Sequence, residues 1–499
     1  MKYQSLLDKV HEIYDLRKAA RVLTWDRATV MPKGGDTDRI QQIATLHRLS
    51  HTIFTSEEMG ALIEEAANEL NGVQYDSTEA SLIRFLRRDY SQSRRLPADF
   101  VSRRTMINNQ AEAAWKKARE DDDFSYFQPW LEQIVEMSQE MAALYGYADE
   151  PYDALLNQFE PGAKSADVRH IFTAAKEALL PLYRAVGRKR LAVNDNFLHQ
   201  PFDLAKQEAF AHYIAGAVGY DFERGYLATA VHPFSTSLSR NDVRITTRYY
   251  PNFLSPSIFA TLHEAGHAMY VQNVHPALTR TPLAKETSAG LDESQSRLIE
   301  NMVGRSRGFW RVHLPHLKEY FPAQLENVTL EQFYRAINKV QPGFIRVEAD
   351  ELTYNMHVIL RFEIEQALLS GRLPVSDVPG AWNQKKKEFL GIVPRTNRDG
   401  CLQDIHWAMV GFGYFPTYTL GNLYAAQFFE TVLENNPAIV EELEAGEITG
   451  LLSWLQENIH QHGRKLTPAE VVMRATQKPL SHEPFVRYTT KKYSEIYNL

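Results

Sequence analysis

The segment Thr261-Leu262-His263-Glu264-Ala265-Gly266-His267-Ala268 commits its neighbourhood to a helix. Two histidines four residues apart stand one above the other only if the backbone turns about once between them, as an α-helix does. The flanking residues allow it. Pro251 and Pro256 punctuate the approach, Ser255 is a candidate N-cap with Pro256 at the first helical position, and helix-compatible residues continue to about Gln272. So stacked, His263 and His267 are spaced to grip one zinc ion, with Glu264 beside them to polarise a bound water. The same letters also arise by chance in a chain with 17 histidines, and a helical His pair can be purely structural. A metal site needs more.

What it needs is a third protein ligand and an open position for water. Asp292-Glu293-Ser294-Gln295-Ser296-Arg297 offers one. Glu293 lies 26 positions after His267 (293 − 267), room for a loop marked by Pro276, Pro282, Ser288 and Gly290 and for a returning helix. Asp292 is the rival ligand, but on a helix it points about 100° away from Glu293. The competing reading pairs Glu293 with Arg297 as an i,i+4 salt bridge.

Helical signals dominate elsewhere. Leu, Ile, Ala, Glu, Lys and Arg recur at helical spacing near 3–20, 36–71, 76–94, 97–120 and 124–146. Further helices are expected near 165–190, 203–218, 256–272, 291–303, 330–340, 344–370, 421–435 and 464–475. No internal repeat, low-complexity tract or long Gly/Ser linker interrupts the 499 residues, which predicts one continuous domain over 1–499. The exception to helix is 236–250, rich in Thr, Val, Ile and Tyr with a turn at Ser239–Asp242. It predicts a hairpin just before the His263 helix. Such a hairpin either offers an edge strand to an extended peptide or simply covers the helix.

Composition narrows the setting. A net charge of −7 gives no reason to expect nucleic acid or an anionic membrane as partner. The single Cys401 excludes an intrachain disulfide and fits a reducing compartment. No apolar run approaches the ~20 residues needed to cross a bilayer, and the first residues carry charges unlike a secretory signal. The expectation is a cytoplasmic protein.

HEAGH followed by DESQS resembles the M32 metallocarboxypeptidases, the carboxypeptidase Taq group. Other signatures of that family stand in order: Trp25-Asp26-Arg-Ala-Thr29-Val-Met31-Pro32, His232-Pro233-Phe234, Asp242-Val-Arg244-Ile-Thr246, Ile345-Arg346-Val-Glu-Ala349-Asp350 and Gly400-Cys-Leu-Gln403-Asp404-Ile-His406-Trp407. The resemblance runs nearly end to end. It implies a mainly α, single-domain, zincin-type (gluzincin) fold with a deep groove and a small β-sheet near the active-site helix. The N-terminal helices of about 1–150 would form a wall or lid of that groove. It also implies one zinc ion per chain (cobalt being possible) on His263, His267 and Glu293, with Glu264 as general base. Single amino acids would leave the C-termini of peptide substrates with broad preference, and the enzyme would be a homodimer. One departure stands out: the family has His before the ligand Glu, where this chain has Asp292.

A carboxypeptidase must also recognise a free carboxylate, which a guanidinium matches in bidentate fashion. Arg346 lies four residues before Asp350, where an i,i+4 ion pair within a helix is the simpler reading. Arg244 on the hairpin reads most simply as an edge-strand gatekeeper. Both fall inside motifs of the resembled family, which implies that they hold the substrate terminus. His406 with Tyr418 twelve residues later resembles the pair that donates hydrogen bonds to the oxyanion in related zinc oligopeptidases. Tyr414 reads as aromatic core, and Gln403 and Asp404 as groups that orient neighbours. Two alternatives differ in function: an oligopeptidase or dipeptidase of the neurolysin or angiotensin-converting type, and a non-catalytic peptide-binding relative, against which the intact HExxH argues.

Overall fold

Side-chain caps mark where several helices of this protein begin, those at Glu57, Ala289 and Glu351 among them. The structure, a computed structural model, describes residues 1–189 and 193–499. Two compact units are present. One comprises Met1–Arg94, Asn194–Ile337 and Phe428–Pro479; the other comprises Arg95–Val193, Asn338–Gln427 and Leu480–Leu499.

In the first unit, α1 (Lys2–Thr29) runs well past the expected 3–20, through the Trp25-Asp26 motif. The expected 36–71 helix is two, Asp36–Phe54 and Glu57–Glu69. The Ser56 side chain accepts from Met59 N and caps the second of them. Leu6, Val10 and Ile13 of α1 share a core with Phe54, Met59 and Ile63.

The hairpin forms as expected from β2 (Ser235–Ser239) and β3 (Asp242–Thr247). A strand not expected, β1 (Gly225–Thr229), pairs parallel with β3, giving the order β1-β3-β2. Arg244 therefore sits on the central strand, and the edge-strand reading of it is wrong.

Against β2 and β3 lies α3 (Ser255–Gln272), the helix of the HExxH motif. Ser255 is its first residue rather than its cap, a position filled by Leu254. Next comes α4 (Ala289–Arg297), capped by the Ser288 hydroxyl accepting from Leu291 N, which passes into a π-helical turn at Leu298–Val303.

The second unit contributes α2 (Pro151–Leu156), α5 (Glu351–Leu369) and α6 (Pro416–Asn435). α5 starts later than the expected 344–370 because Ala349 is extended (ψ 142°) and separates it from a 3-10 turn at Arg346–Glu348. Asp350 is the N-cap, accepting from Leu352 N, Thr353 N and the Thr353 hydroxyl. The expected Arg346–Asp350 ion pair does not form. Helices at Arg307–Tyr320, Val378–Leu390 and Glu483–Tyr497 were not anticipated. The expected 165–190 helix is observed as Ser165–Gly187, and residue 190 lies outside the described residues. No helix among the described residues is long and apolar enough to cross a membrane.

Candidate metal centre and substrate groups

Gly266 explains why the helices of His263, His267 and Glu293 meet. A Cβ at this position would lie 2.6 Å from Gln295 O and 2.7 Å from Ser296 Cα, so the α4 backbone rests directly on α3. That contact carries Glu293 to the imidazoles. Its Oε2 lies 3.7 Å from His263 Nε2 and 3.6 Å from His267 Nε2. One ligand atom from each of the three residues falls within 4.8 Å of the others. Glu293 Oε1 meanwhile accepts from Arg297 Nε at 2.6 Å. Salt bridge and candidate ligand are thus not rival readings of Glu293: Oε1 takes the salt bridge and Oε2 faces both imidazoles.

The far side of each imidazole is held by a carboxylate. His263 Nδ1 lies 3.0 Å from Glu300 Oε2, and Glu300 is itself bonded by Arg297 and Arg305. His267 Nδ1 lies 2.9 Å from Asp292 Oδ1, an ion-pair contact without the alignment of a hydrogen bond. Asp292 therefore stands behind His267 on the side of the ring away from Glu293. A carboxylate at Nδ1 favours the proton there and leaves Nε2 as a lone pair. Two imidazole nitrogens and one carboxylate oxygen are a donor set that fits a zinc-like divalent ion.

Charge at Glu293 and Glu300 agrees with this, whereas at His267 burial is outweighed by Asp292 and Glu293, which hold the ring well above the usual imidazole range. Although burial opposes ionisation, Arg297 and the two imidazoles hold Glu293 well below the usual carboxylate range. Burial likewise opposes ionisation of Glu300, but Arg297, His263 and Arg305 bring it to about 2. Glu264, buried beside His263, is instead pushed up by desolvation, with the imidazoles opposing. Sequence reasoning missed Glu300. It stands seven residues after Glu293, two turns along, which was a readable signal; the π-helical turn that aims it was not.

Arg244 is gripped by its own strand. Nε and Nη2 each donate to Asp242 at 2.8 Å, and the guanidinium lies 4.6 Å from the Trp25 ring centre. Trp25 meets Tyr226 of β1 edge-on. The side chain stays 25% exposed, and Nη1 is the atom that these bonds leave over.

In the second unit, Arg346 is only 4% exposed. Nη2 donates to Asp404 Oδ1 at 2.9 Å and Nη1 to the Tyr354 hydroxyl at 2.8 Å, with the Tyr418 ring centre 4.6 Å away. Asp404 Oδ2 accepts from Arg361 Nε at 2.7 Å. Burial opposes its charge, but the two arginines keep Asp404 ionised far below the usual range. Gln403 takes the Arg346 backbone N–H and donates to Phe344 O, so Gln403 and Asp404 orient neighbours as expected. His406 Nε2 and the Tyr418 hydroxyl come together at 3.3 Å. Burial, with Arg346 and Arg361 and against Asp404, lowers His406 to about 4, so the ring is neutral at pH 7. Tyr414 packs edge-on against Phe159, centroids 5.1 Å apart. Arg361 and Tyr354 escaped sequence reasoning because nothing in a mid-helix position announces a distant partner.

The sequence pattern of the carboxypeptidase Taq (M32) metallopeptidases matches residues 5–493. The chain belongs to that family. Carboxypeptidase 1 of Bacillus subtilis is 38% identical to this M32 chain over 496 residues, 99% of each. Thermostable carboxypeptidase 1 of Pyrococcus furiosus is 36% identical over 492 residues, 98% of each. Among solved structures, the M32 carboxypeptidase from Deinococcus radiodurans superposes with a TM-score of 0.96 at 37% identity, covering 100% of both chains. A Pyrococcus furiosus carboxypeptidase structure gives 0.95 at 35% identity over 99% of both. The mainly helical M32 fold with its small sheet is therefore the fold of this protein, and membership implies a metal ion.

Proposed function

We propose that this protein is a zinc metallocarboxypeptidase that removes single amino acids from peptide C-termini with broad preference. The observation that carries the reading is the convergence of His263, His267 and Glu293, with Glu264 beside them. A zinc or cobalt ion on those three residues would supply a Lewis acid that polarises water and the scissile carbonyl. Glu264 accepts a proton from the attacking water on its carboxylate and passes it to the leaving amine. Neutral His406 and Tyr418 donate hydrogen bonds where the carbonyl oxygen gains charge. Arg244 and Arg346 are the groups proposed for the terminal carboxylate. Arg244 retains Nη1 for it, whereas Asp404 and Tyr354 already occupy Arg346.

Residues 1–499 act as one peptidase domain in this proposal, with the N-terminal helices walling the groove. Cytoplasmic location is supported by the single buried cysteine, and a homodimer by the family resemblance. The test is metal dependence. A strong chelator should abolish activity, zinc or cobalt should restore it, and metal analysis should find about one ion per chain, as a mononuclear site requires. Full activity in a verified metal-free sample would overturn the reading.

A further inference from the structure

The segment between His406 and Tyr418 is held in a conformation that its residues do not favour. Val410 is buried at φ 54° and ψ 37°, the left-handed region that β-branched residues avoid. Gly413, at φ +92°, presses so closely on α2 that a Cβ would meet Leu155 C and Leu156 N at 2.8 Å. Such a backbone persists only where surrounding contacts over-determine it.

Those contacts converge on one residue of α5. Glu365 is fully buried, and its Oε1 accepts from Trp407 Nε1 at 2.9 Å. Its Oε2 accepts from Gly413 N at 3.1 Å and from the Tyr152 hydroxyl of α2 at 2.6 Å. Trp407 and Gly413 flank Val410, and Trp407 directly follows His406. One helical turn before Glu365, Arg361 holds Asp404, two residues ahead of His406. The same face of α5 therefore grips this segment at Asp404, Trp407 and Gly413. Burial pushes the Glu365 carboxyl up to about 7 against its three donors. A side chain needed only to fill space would avoid that penalty.

We propose that Glu365 is a positioning residue that fixes the two oxyanion donors, His406 and Tyr418, by pinning both ends of the strained turn around Val410. The inference rests on the role proposed above for those donors. The test compares Glu365→Gln, which keeps the shape but turns an amide N–H₂ towards one of the donors, with Trp407→Phe, which deletes one N–H and keeps a ring. Each is combined with His406→Ala, and kcat and KM are measured per metal-loaded molecule, with metal content and melting temperature alongside.

Glu365→Gln should retain its metal, change KM by no more than about twofold and lower kcat by about tenfold or more. In the His406→Ala background the same substitution should cost less than about threefold, because one of the two groups being positioned is gone and only Tyr418 remains to be misplaced. Trp407→Phe should show a smaller loss with the same dependence on His406, and it decides the matter if Glu365→Gln does not fold. Wild-type kcat in folded, metal-loaded Glu365→Gln, or an equal loss in both backgrounds, would overturn the inference. If His406→Ala and Tyr418→Phe themselves leave kcat intact, the oxyanion reading fails and takes the inference with it. If they lower kcat and Glu365→Gln does not, the inference alone fails.

Discussion

Glu264→Gln is expected to keep its metal and to lose about a hundred- to ten-thousandfold in kcat, the usual contribution of a general acid–base group. The amide matches the carboxylate in size, so α3 and both imidazoles stay in place, but it cannot accept a proton. Glu293→Ala should behave in the opposite way. It removes the oxygen that faces both Nε2 atoms at 3.6–3.7 Å and leaves Arg297 and Glu300 to repair an altered charge balance. Metal content should fall, and activity with it. Metal analysis and kcat on the two variants separate the roles; if Glu264→Gln lost the metal while Glu293→Ala kept it, the assignments would be reversed.

Gly266→Ala should be nearly as damaging, against the helix-propensity expectation. In an exposed helix the change would gain about 0.5–1 kcal/mol. Here the new methyl meets backbone atoms of α4 at 2.6–2.7 Å, which no rotamer change relieves. Overpacking typically costs ~1–3 kcal/mol and is met by moving α4 outward. That motion carries Glu293 with it, whereas ligand distances tolerate only about 0.2 Å. The expected result is a folded protein of slightly lower melting temperature whose metal affinity falls at least about tenfold. A variant with wild-type affinity would show that the α3–α4 contact does not place Glu293.

The candidate metal site was legible because its residues obey helical arithmetic. His263 and His267 share a face by spacing alone, and the Pro-marked loop before Ala289 left room for Glu293 to return. What was not legible depends on partners distant in sequence. β1 pairs parallel with a strand eighteen residues on (Gly225 with Val243), and parallel pairing leaves no hairpin signal between the two. Arg346 and Asp350 have the spacing of a helical ion pair, but the extended Ala349 breaks the helix between them. Arg346 turns to Asp404, and Asp350 becomes a cap. Glu300 and Glu365 look like ordinary polar residues of long helices. Only the packed structure shows one behind His263 and the other under Trp407.

Hydrolysis of the last peptide bond of a chain that ends in a free carboxylate can be followed with one N-terminally blocked peptide. The peptide is supplied as free acid and as C-terminal amide, and its products are identified by mass. From the free acid, single amino acids should leave one after another. A charge-assisted bond to a guanidinium is worth ~1.5–3 kcal/mol, so the amide should be cut with kcat/KM lower by about ten- to a hundredfold. Equal cleavage of acid and amide, or release of dipeptides and internal fragments, would contradict carboxypeptidase action.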